Sequence, residues 1–485
     1  MTVNDLLNNM NVILPLAVLI AWSCMLLIVD LTIPKGHKGW TAVIAALGLL
    51  LSLGISIARF GSATTGFNGM VISDGFSYFL NILFLFSGLA AIAVAYDYLK
   101  RMDIERGEYY VLLLFSICGM MLMSLANDLI VVFLALELLS IPLYVLAGFA
   151  RPRLESEEAS LKYFLMGAFA GGFVVFGIAL VFGATGTTNL TNIFASIKSV
   201  TTNLPLLIMG AGLLLVGFGF KVAAVPFHMW TPDVYHGSPS SVTAFMSVGA
   251  KAGGFAALLR IFVSAFPALS TDLTMIIWAI SALTMFLGNV VAIAQSNIKR
   301  MLAYSSIAHA GYILMALVPY GNSAVNKDTI SAALFYLVAY ALTSFGAWAV
   351  VIALEKAEGK GLELNDYAGL ARKYPLLAAS MAVFMLSFIG VPPTIGFMGK
   401  FYLFRTVIEG GYLGLALIGV FTSLISAYYY LRVIVIMYMR EGEPEARTEF
   451  WVQFTAAVTA ILVIVLTLAA QPLLNLASKA LMLTF

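Results

Sequence analysis

Four ionisable side chains stand where a sequence this apolar has least reason to keep them. Glu137 is ninth in the 21-residue run Leu129 to Phe149, and Lys251 is twelfth of the 24 residues from Ser240 to Val263. Lys221 follows Gly217-Phe-Gly-Phe220, and Lys400 follows Pro392-Pro393 and Gly396. A lysine side chain extends about 6 Å and half the hydrocarbon core of a bilayer is about 15 Å, so neither Glu137 nor Lys251 can snorkel to water. Each such charge costs about 2.5–3.5 kcal/mol, or about 10–14 kcal/mol for four unpaired ones. A static Glu–Lys pair fixing helix register would explain one acid and one base, but three lysines accompany a single deep acid. The chemistry that suits the excess is proton exchange among buried amines through internal water, modulated by Glu137.

Two of the lysines share a backbone context. Gly217, Gly219 and Pro226 surround Lys221, and Pro392 and Pro393 precede Lys400; glycine and proline both weaken the helical ladder. Interrupted helices in corresponding halves of a chain point to a transport site, because freed backbone groups and half-helix dipoles can hold ions and water. A second tier of residues fits either a relay step or an ordinary role. Glu158 and Lys162 open a helix after Arg151-Pro-Arg153, where a snorkelling lysine is commonplace; His228 follows Pro226; His309 stands in Ser305-Ser-Ile-Ala-His309; Tyr428 and Tyr340 suit packing, and Arg432 suits pairing or snorkelling. The Gly167-x-x-x-Gly171 spacing is a weak signal, since glycine is common in spans. Cys24 and Cys118 lie in apolar runs without a C-x-x-C partner, so no metal site, iron–sulfur cluster or other redox cofactor is expected in this chain.

The elements that must position these residues are membrane helices. The chain has 485 residues, is 61% hydrophobic and only 10% charged, against about 25% charged in soluble domains. Its net charge of +2 forms no basic stripe, which argues against a nucleic-acid partner. Apolar runs give fourteen candidate helices, from Asn11 to Leu31 through Val452 to Leu473. The seventh runs from Leu204 to Ala224; the twelfth, Leu376 to Ile408, is too long for a simple crossing and holds Gly390-Val-Pro-Pro393, so it is predicted to be broken. Loops after odd-numbered helices carry fifteen Lys and Arg, and the other side carries six, among them Arg59, Lys198 and Arg260. This bias puts both termini outside, in the periplasm of a bacterial host. Met1 to Met10 has no basic region and contains Asp5, so the first span is expected to be retained.

The stretch Lys221-Val-Ala-Ala-Val-Pro-Phe-His-Met-Trp-Thr-Pro-Asp-Val-Tyr235, continuing to Gly237-Ser-Pro239 and Lys251, resembles the antiporter-like subunits of proton-pumping NADH:quinone oxidoreductase, respiratory complex I. Glu137 with Pro142, Glu158-Ala-Ser-Leu-Lys-Tyr-Phe164, Ala303-Tyr-Ser-Ser-Ile307 and Gly390-Val-Pro-Pro393 with Gly399-Lys400 extend the likeness over residues 70 to 440. Trp230 to Tyr235, the length and the lack of a long lateral helix at the C-terminus bring it nearest to the subunit N branch of that family. The resemblance implies an all-α antiporter-like fold: a three-helix segment over 1–108, two inverted five-helix repeats over 109–263 and 264–439, and a last helix with its tail over 440–485. It also implies that Glu137 and Lys221 form the coupled pair of one half-channel, that Lys251 is the central relay, and that Lys400 leads to the exit. The implied partners are other membrane subunits of the complex and the lipid bilayer, with quinone, FMN and iron–sulfur clusters handled elsewhere. A subunit of a multisubunit Mrp-type Na+/H+ antiporter fits the same spans and lysines.

Overall fold

The computed structural model describes residues 3–197, 202–322, 324–356, 359–480 and 482, with side chains from residue 7 onward; Lys198 and the Asp5 side chain lie outside the described residues. Alternation of long apolar runs with short polar turns produces helices almost throughout: α1 (Leu14–Thr32), α2 (Gly39–Ala58), α3 (Gly75–Arg101), α4 (Glu108–Leu125), α5 (Leu129–Ala147) and α6 (Leu154–Thr185). After them come α7 (Leu204–Val222), α8 (Trp230–Gly237), α9 (Ser240–Ser264), α10 (Ser270–Ile293), α11 (Ile298–Leu317) and α12 (Asn326–Leu354). The last are α13 (Pro375–Ile389), α14 (Ile395–Glu409), α15 (Leu413–Met439) and α16 (Phe450–Leu468). Among the described residues twelve segments are long and apolar enough to cross a membrane. Adding α11, whose polar residues lower its hydropathy, and the jointed pair α13 and α14 gives fourteen crossings, matching the sequence segmentation.

Two crossings are jointed, and the joints differ in how legible they are. The twelfth breaks where expected, with α13 ending at Gly390 in the left-handed region (φ +86°) before Pro392 and Pro393. The seventh, read over Leu204 to Ala224 with Gly217, Gly219 and Pro226 as its breaking residues, is interrupted only after the glycines: α7 stops at Val222, Ala223 turns left-handed (φ +63°), and the crossing resumes as α8. Pro226 lies in this joint, but Gly217 and Gly219 do not. They sit inside regular helix, where a Cβ on Gly217 would strike Val174 of α6 and one on Gly219 would press on Phe227. Close packing is what those two glycines provide.

α9 and α12 are buried almost throughout and form the centre of the bundle, whereas α1, α6, α15 and α16 leave broad apolar faces outward. One face of the bundle gathers the cation-rich loops, tied together by Arg101–Glu449 (2.6 Å), Lys162–Asp233 (2.9 Å), Asp233–Arg300 (2.9 Å) and Lys356–Glu445 (2.7 Å). The other face carries the hairpin of β1 (Thr64–Gly66) and β2 (Val71–Ser73), pinned by Asn127 and Asn189, both donating to Gly69 O. Two cations counted with the loops are buried in helices. Lys299 donates from α11 to Ser238 O, and Arg260 of α9 forms a bidentate pair with Asp74, the N-cap of α3, at 2.6 and 3.0 Å while also donating to Ser124 O.

The Arg260–Asp74 pair fixes the central helix to the N-terminal segment in a site from which water is excluded. Removing one member of such a pair leaves an uncompensated charge and costs about 3–5 kcal/mol. Asp74→Ala is therefore expected to lower the thermal unfolding midpoint of the detergent-solubilised protein markedly, while exposed Arg405→Ala leaves it within experimental scatter; equal midpoints for both variants would refute the brace.

Candidate functional site

Lys221 occupies the last turn of α7, where unsatisfied carbonyls and the negative helix end favour a cation. Its Nζ donates to Ser140 Oγ of α5 (2.8 Å) and Tyr163 OH of α6 (3.2 Å). Ser140 donates its own proton to Leu136 O (2.6 Å), leaving lone pairs for the lysine. The joint beside it is stapled rather than loose: Trp230, first residue of α8, stacks on Tyr163 at 4.6 Å and donates its indole N–H to the Phe220 carbonyl of α7 (2.9 Å). His228 is buried within the joint, with Nδ1 unpartnered among the described residues.

Glu137 lies one helical turn from Ser140 on α5. Its carboxylate packs beside Gly171 of α6, half-buried at an apolar seam, and among the described residues it forms no ion pair with Lys221. A static Glu–Lys pair is therefore not what holds this lysine. Glu158 and Lys162 are at the cation-rich face, paired at 2.6 Å, with Lys162 shared by Asp233, so they stand at the mouth of the bundle and not in its middle.

Lys251 follows a π turn at Met246–Ala250 in α9, a distortion that often marks functional positions. Its Nζ donates to both the carbonyl and the hydroxyl of Ser306 in α11. Tyr340 of α12 donates to the same hydroxyl (2.9 Å), and Tyr235 of α8 lies within hydrogen-bonding reach of it. One turn on along α11, His309 meets Tyr336 OH through Nδ1 (2.6 Å) and Tyr430 OH through Nε2 (3.2 Å), and its ring contacts that of Tyr340 at 5.3 Å. The next turn presents Tyr312, which accepts from Ser423 Oγ of α15 (3.1 Å). Lys400 completes the line, donating to Ser423 Oγ (2.9 Å) and to the freed carbonyls of Phe388 (3.0 Å) and Ile389 (2.9 Å) at the end of α13. Its ammonium also lies 4.5 Å over the Tyr312 ring.

Positions 306, 309 and 312 follow the helical repeat, so one face of α11 links Lys251 to Lys400 by hydrogen-bonded clusters in ring contact. All three lysines are held by neutral acceptors. An amine held that way can gain or lose a proton without orphaning a carboxylate, which suits transfer better than a fixed ion pair does. The lysines and His309 are legible in the sequence; Ser140, Tyr163, Ser306, Tyr312, Ser423 and Tyr430 are not, and Tyr340, which reads there as a packing residue, joins them. Tyr428 is corrected: it is 62% exposed on the outward face of α15, because residues 426, 429, 430 and 433 form that helix's inner stripe. Arg432 caps the end of α10 by donating to Ile293 O (3.0 Å) and Gln295 O (2.6 Å).

The family model described as NADH:quinone oxidoreductase/Mrp antiporter, TM, matches residues 126–426. The chain is 46% identical to NADH-quinone oxidoreductase subunit N of Chloroflexus aggregans, covering 98% of this chain and 97% of that one. It is also 46% identical to the subunit N of Trichlorobacter lovleyi over 94% of this chain and 92% of the relative. Among solved structures, a chain of respiratory complex I from Thermus thermophilus superposes with a TM-score of 0.81 at 35% identity, covering 96% of this chain and 99% of that one. A chain of the Mrp complex from Dietzia reaches a TM-score of 0.86 at 20% identity, covering 99% and 97%, a likeness of fold alone.

Proposed function

The chain belongs to the subunit N branch of the NADH:quinone oxidoreductase/Mrp antiporter family, and from that membership we propose that it carries protons across the membrane as quinone is reduced elsewhere in the complex. The observation that carries the reading is the line of hydrogen-bonded clusters, in ring contact at His309, that runs from Lys251 and Ser306 past His309 and Tyr312 to Lys400, with Lys221 held by neutral acceptors at the other joint. In this reading the segments 109–263 and 264–439 act as two inverted half-channels, joined at Lys251. The cation-rich face is cytoplasmic and both chain ends lie on the periplasmic side of a bacterial inner membrane. Glu137, half-buried at an outward seam, modulates Lys221 across Ser140 and faces a neighbouring membrane subunit. FMN and iron–sulfur clusters belong to partner subunits. Identity of 46% to subunit N against 20% to the Mrp chain favours the oxidoreductase over a gradient-driven antiporter.

The test is NADH-driven proton pumping by the assembled complex in membrane vesicles, with Lys221→Ala or Glu137→Ala in this chain. Both substitutions are expected to reduce pumping severalfold. Pumping at the unsubstituted level in both overturns the reading, and purification of the chain without NADH-oxidising partners would assign it to an antiporter instead.

A further inference from the structure

A buried acid outside the relay just described stands under the cation-rich face. Glu355, the residue at which α12 ends, is 2% exposed, and its Oε2 has no hydrogen-bond partner among the described residues. Around it lie Tyr98 of α3, within hydrogen-bonding reach, and Tyr367 and Lys299, both within electrostatic range. Orphaned polar atoms cluster here: the Tyr367 hydroxyl and the hydroxyls of Ser238 and Ser240 are also buried and unpartnered, although Lys299 donates to Ser238 O and Ser240 N–H donates to Tyr98 OH. Three unsatisfied hydroxyls around a carboxylate with an unsatisfied oxygen of its own are costly in a dry site, since each forfeits about 1–3 kcal/mol, and ordinary in a wet one, where each water makes about three bonds to such groups.

A cavity lies against the spot on its outer side, and hydroxyls lead inward from it. A cavity of about 550 Å3 opens on the cation-rich face and is lined by Leu354 and Lys356, the two neighbours of Glu355, together with the acids Glu363, Asp366 and Glu445. Inward, Ser240, Thr243, Ser247 and Lys251 fall at helical spacing on one side of α9, about 5 Å apart per turn. Ser247 Oγ meets Ser344 Oγ of α12 at 3.1 Å, one turn from Tyr340, which donates to the Ser306 hydroxyl that holds Lys251. Ser344 and Glu355 are eleven residues apart on α12, three turns along one face.

We propose that Glu355 is the proton-loading carboxylate of the cation-rich face. It takes a proton at Oε2 from water in the outer cavity and releases it to water held by Ser238, Ser240 and Tyr367. The proton then moves along the hydroxyls of α9 to Lys251, and the ionised carboxylate, stabilised by Lys299, is ready for the next. This assignment rests on the proposed proton-carrying function and adds the intake to it.

The test compares Glu355→Gln, Glu355→Ala and Lys221→Ala in the assembled complex, reading NADH-driven pumping and the amount of complex assembled. Glu355→Gln keeps the shape and hydrogen-bonding capacity but cannot load a proton. It is expected to assemble normally and to lose as much pumping as Lys221→Ala. Millimolar formate, a small acid able to stand in for the missing carboxyl, should restore part of the loss in Glu355→Ala, or Glu355→Asp should retain part of it if Glu355→Ala fails to assemble. Unchanged pumping in Glu355→Gln beside a deficient Lys221→Ala overturns the intake alone, as does a loss that neither formate nor aspartate relieves. Unchanged pumping in both Glu355→Gln and Lys221→Ala overturns the proton-carrying function itself.

Discussion

Lys251→Met is expected to leave the fold at least as stable as before and to cut proton flux through this chain by about 10²-fold, the lower end of what a positioned proton-transfer group contributes. The two halves of that expectation come from the same geometry. Among the described residues Lys251 is held only by the carbonyl and hydroxyl of Ser306, so its removal strands no buried carboxylate there. Ser306 Oγ still receives the Tyr340 hydroxyl. Methionine nearly conserves the volume, and the cost of keeping an ammonium away from water disappears. A thermal midpoint at or above that of the unsubstituted protein, together with the collapse of NADH-driven pumping, would set transport apart from structure. A sharp loss of midpoint would mean that Lys251 holds the bundle together, and intact pumping would remove it from the path.

What the sequence reveals and what it hides divide along physical lines. Fourteen crossings are legible because a spanning helix needs about 20 apolar residues and the loops between them are short and charged. Lys251 and Glu137 are legible because a charge deep in such a run is rare. α8 is not, because eight residues containing Thr231, Pro232, Asp233 and His236 carry no apolar signature; their helix exists by docking on α6 and α11. Ser306, Ser140 and Ser423 are invisible for a different reason. Hydroxyls are common in spans and usually bond their own helix, and only the register of α5 on α7, α11 on α9 and α15 on α14 gives these three a lysine to hold. Glu355 is hidden by its neighbour: next to Lys356 at a helix end it reads as one more loop charge, whereas the chain turns it inward. Arg260 and Lys299 read as loop charges for the same reason, and the bias between the faces survives their removal because the cation-rich loops are many.

Lys400 should behave unlike Lys251, because its acceptors are the end of a helix. α13 stops at Ile389 with a partial negative charge on carbonyls that cannot be used within the helix, and Lys400 Nζ satisfies two of them, Phe388 O and Ile389 O. Gly390 makes the approach possible: in its left-handed turn a Cβ would come within 3.0 Å of Lys400 Cδ. Reversing the charge by Lys400→Glu would point a carboxylate at those carbonyls, leave them unsatisfied and bury an unpaired charge, for a cost of about 3–5 kcal/mol. A marginally stable bundle loses much of its reserve in that one change. The variant is expected to accumulate poorly in membranes and to assemble little complex. Lys400→Gln, whose amide can still donate to one carbonyl, should assemble normally and lose flux. Normal assembly of Lys400→Glu would show that the ammonium is not needed at the end of α13, and would place the joint's stability in the Pro392-Pro393 turn and the packing around it.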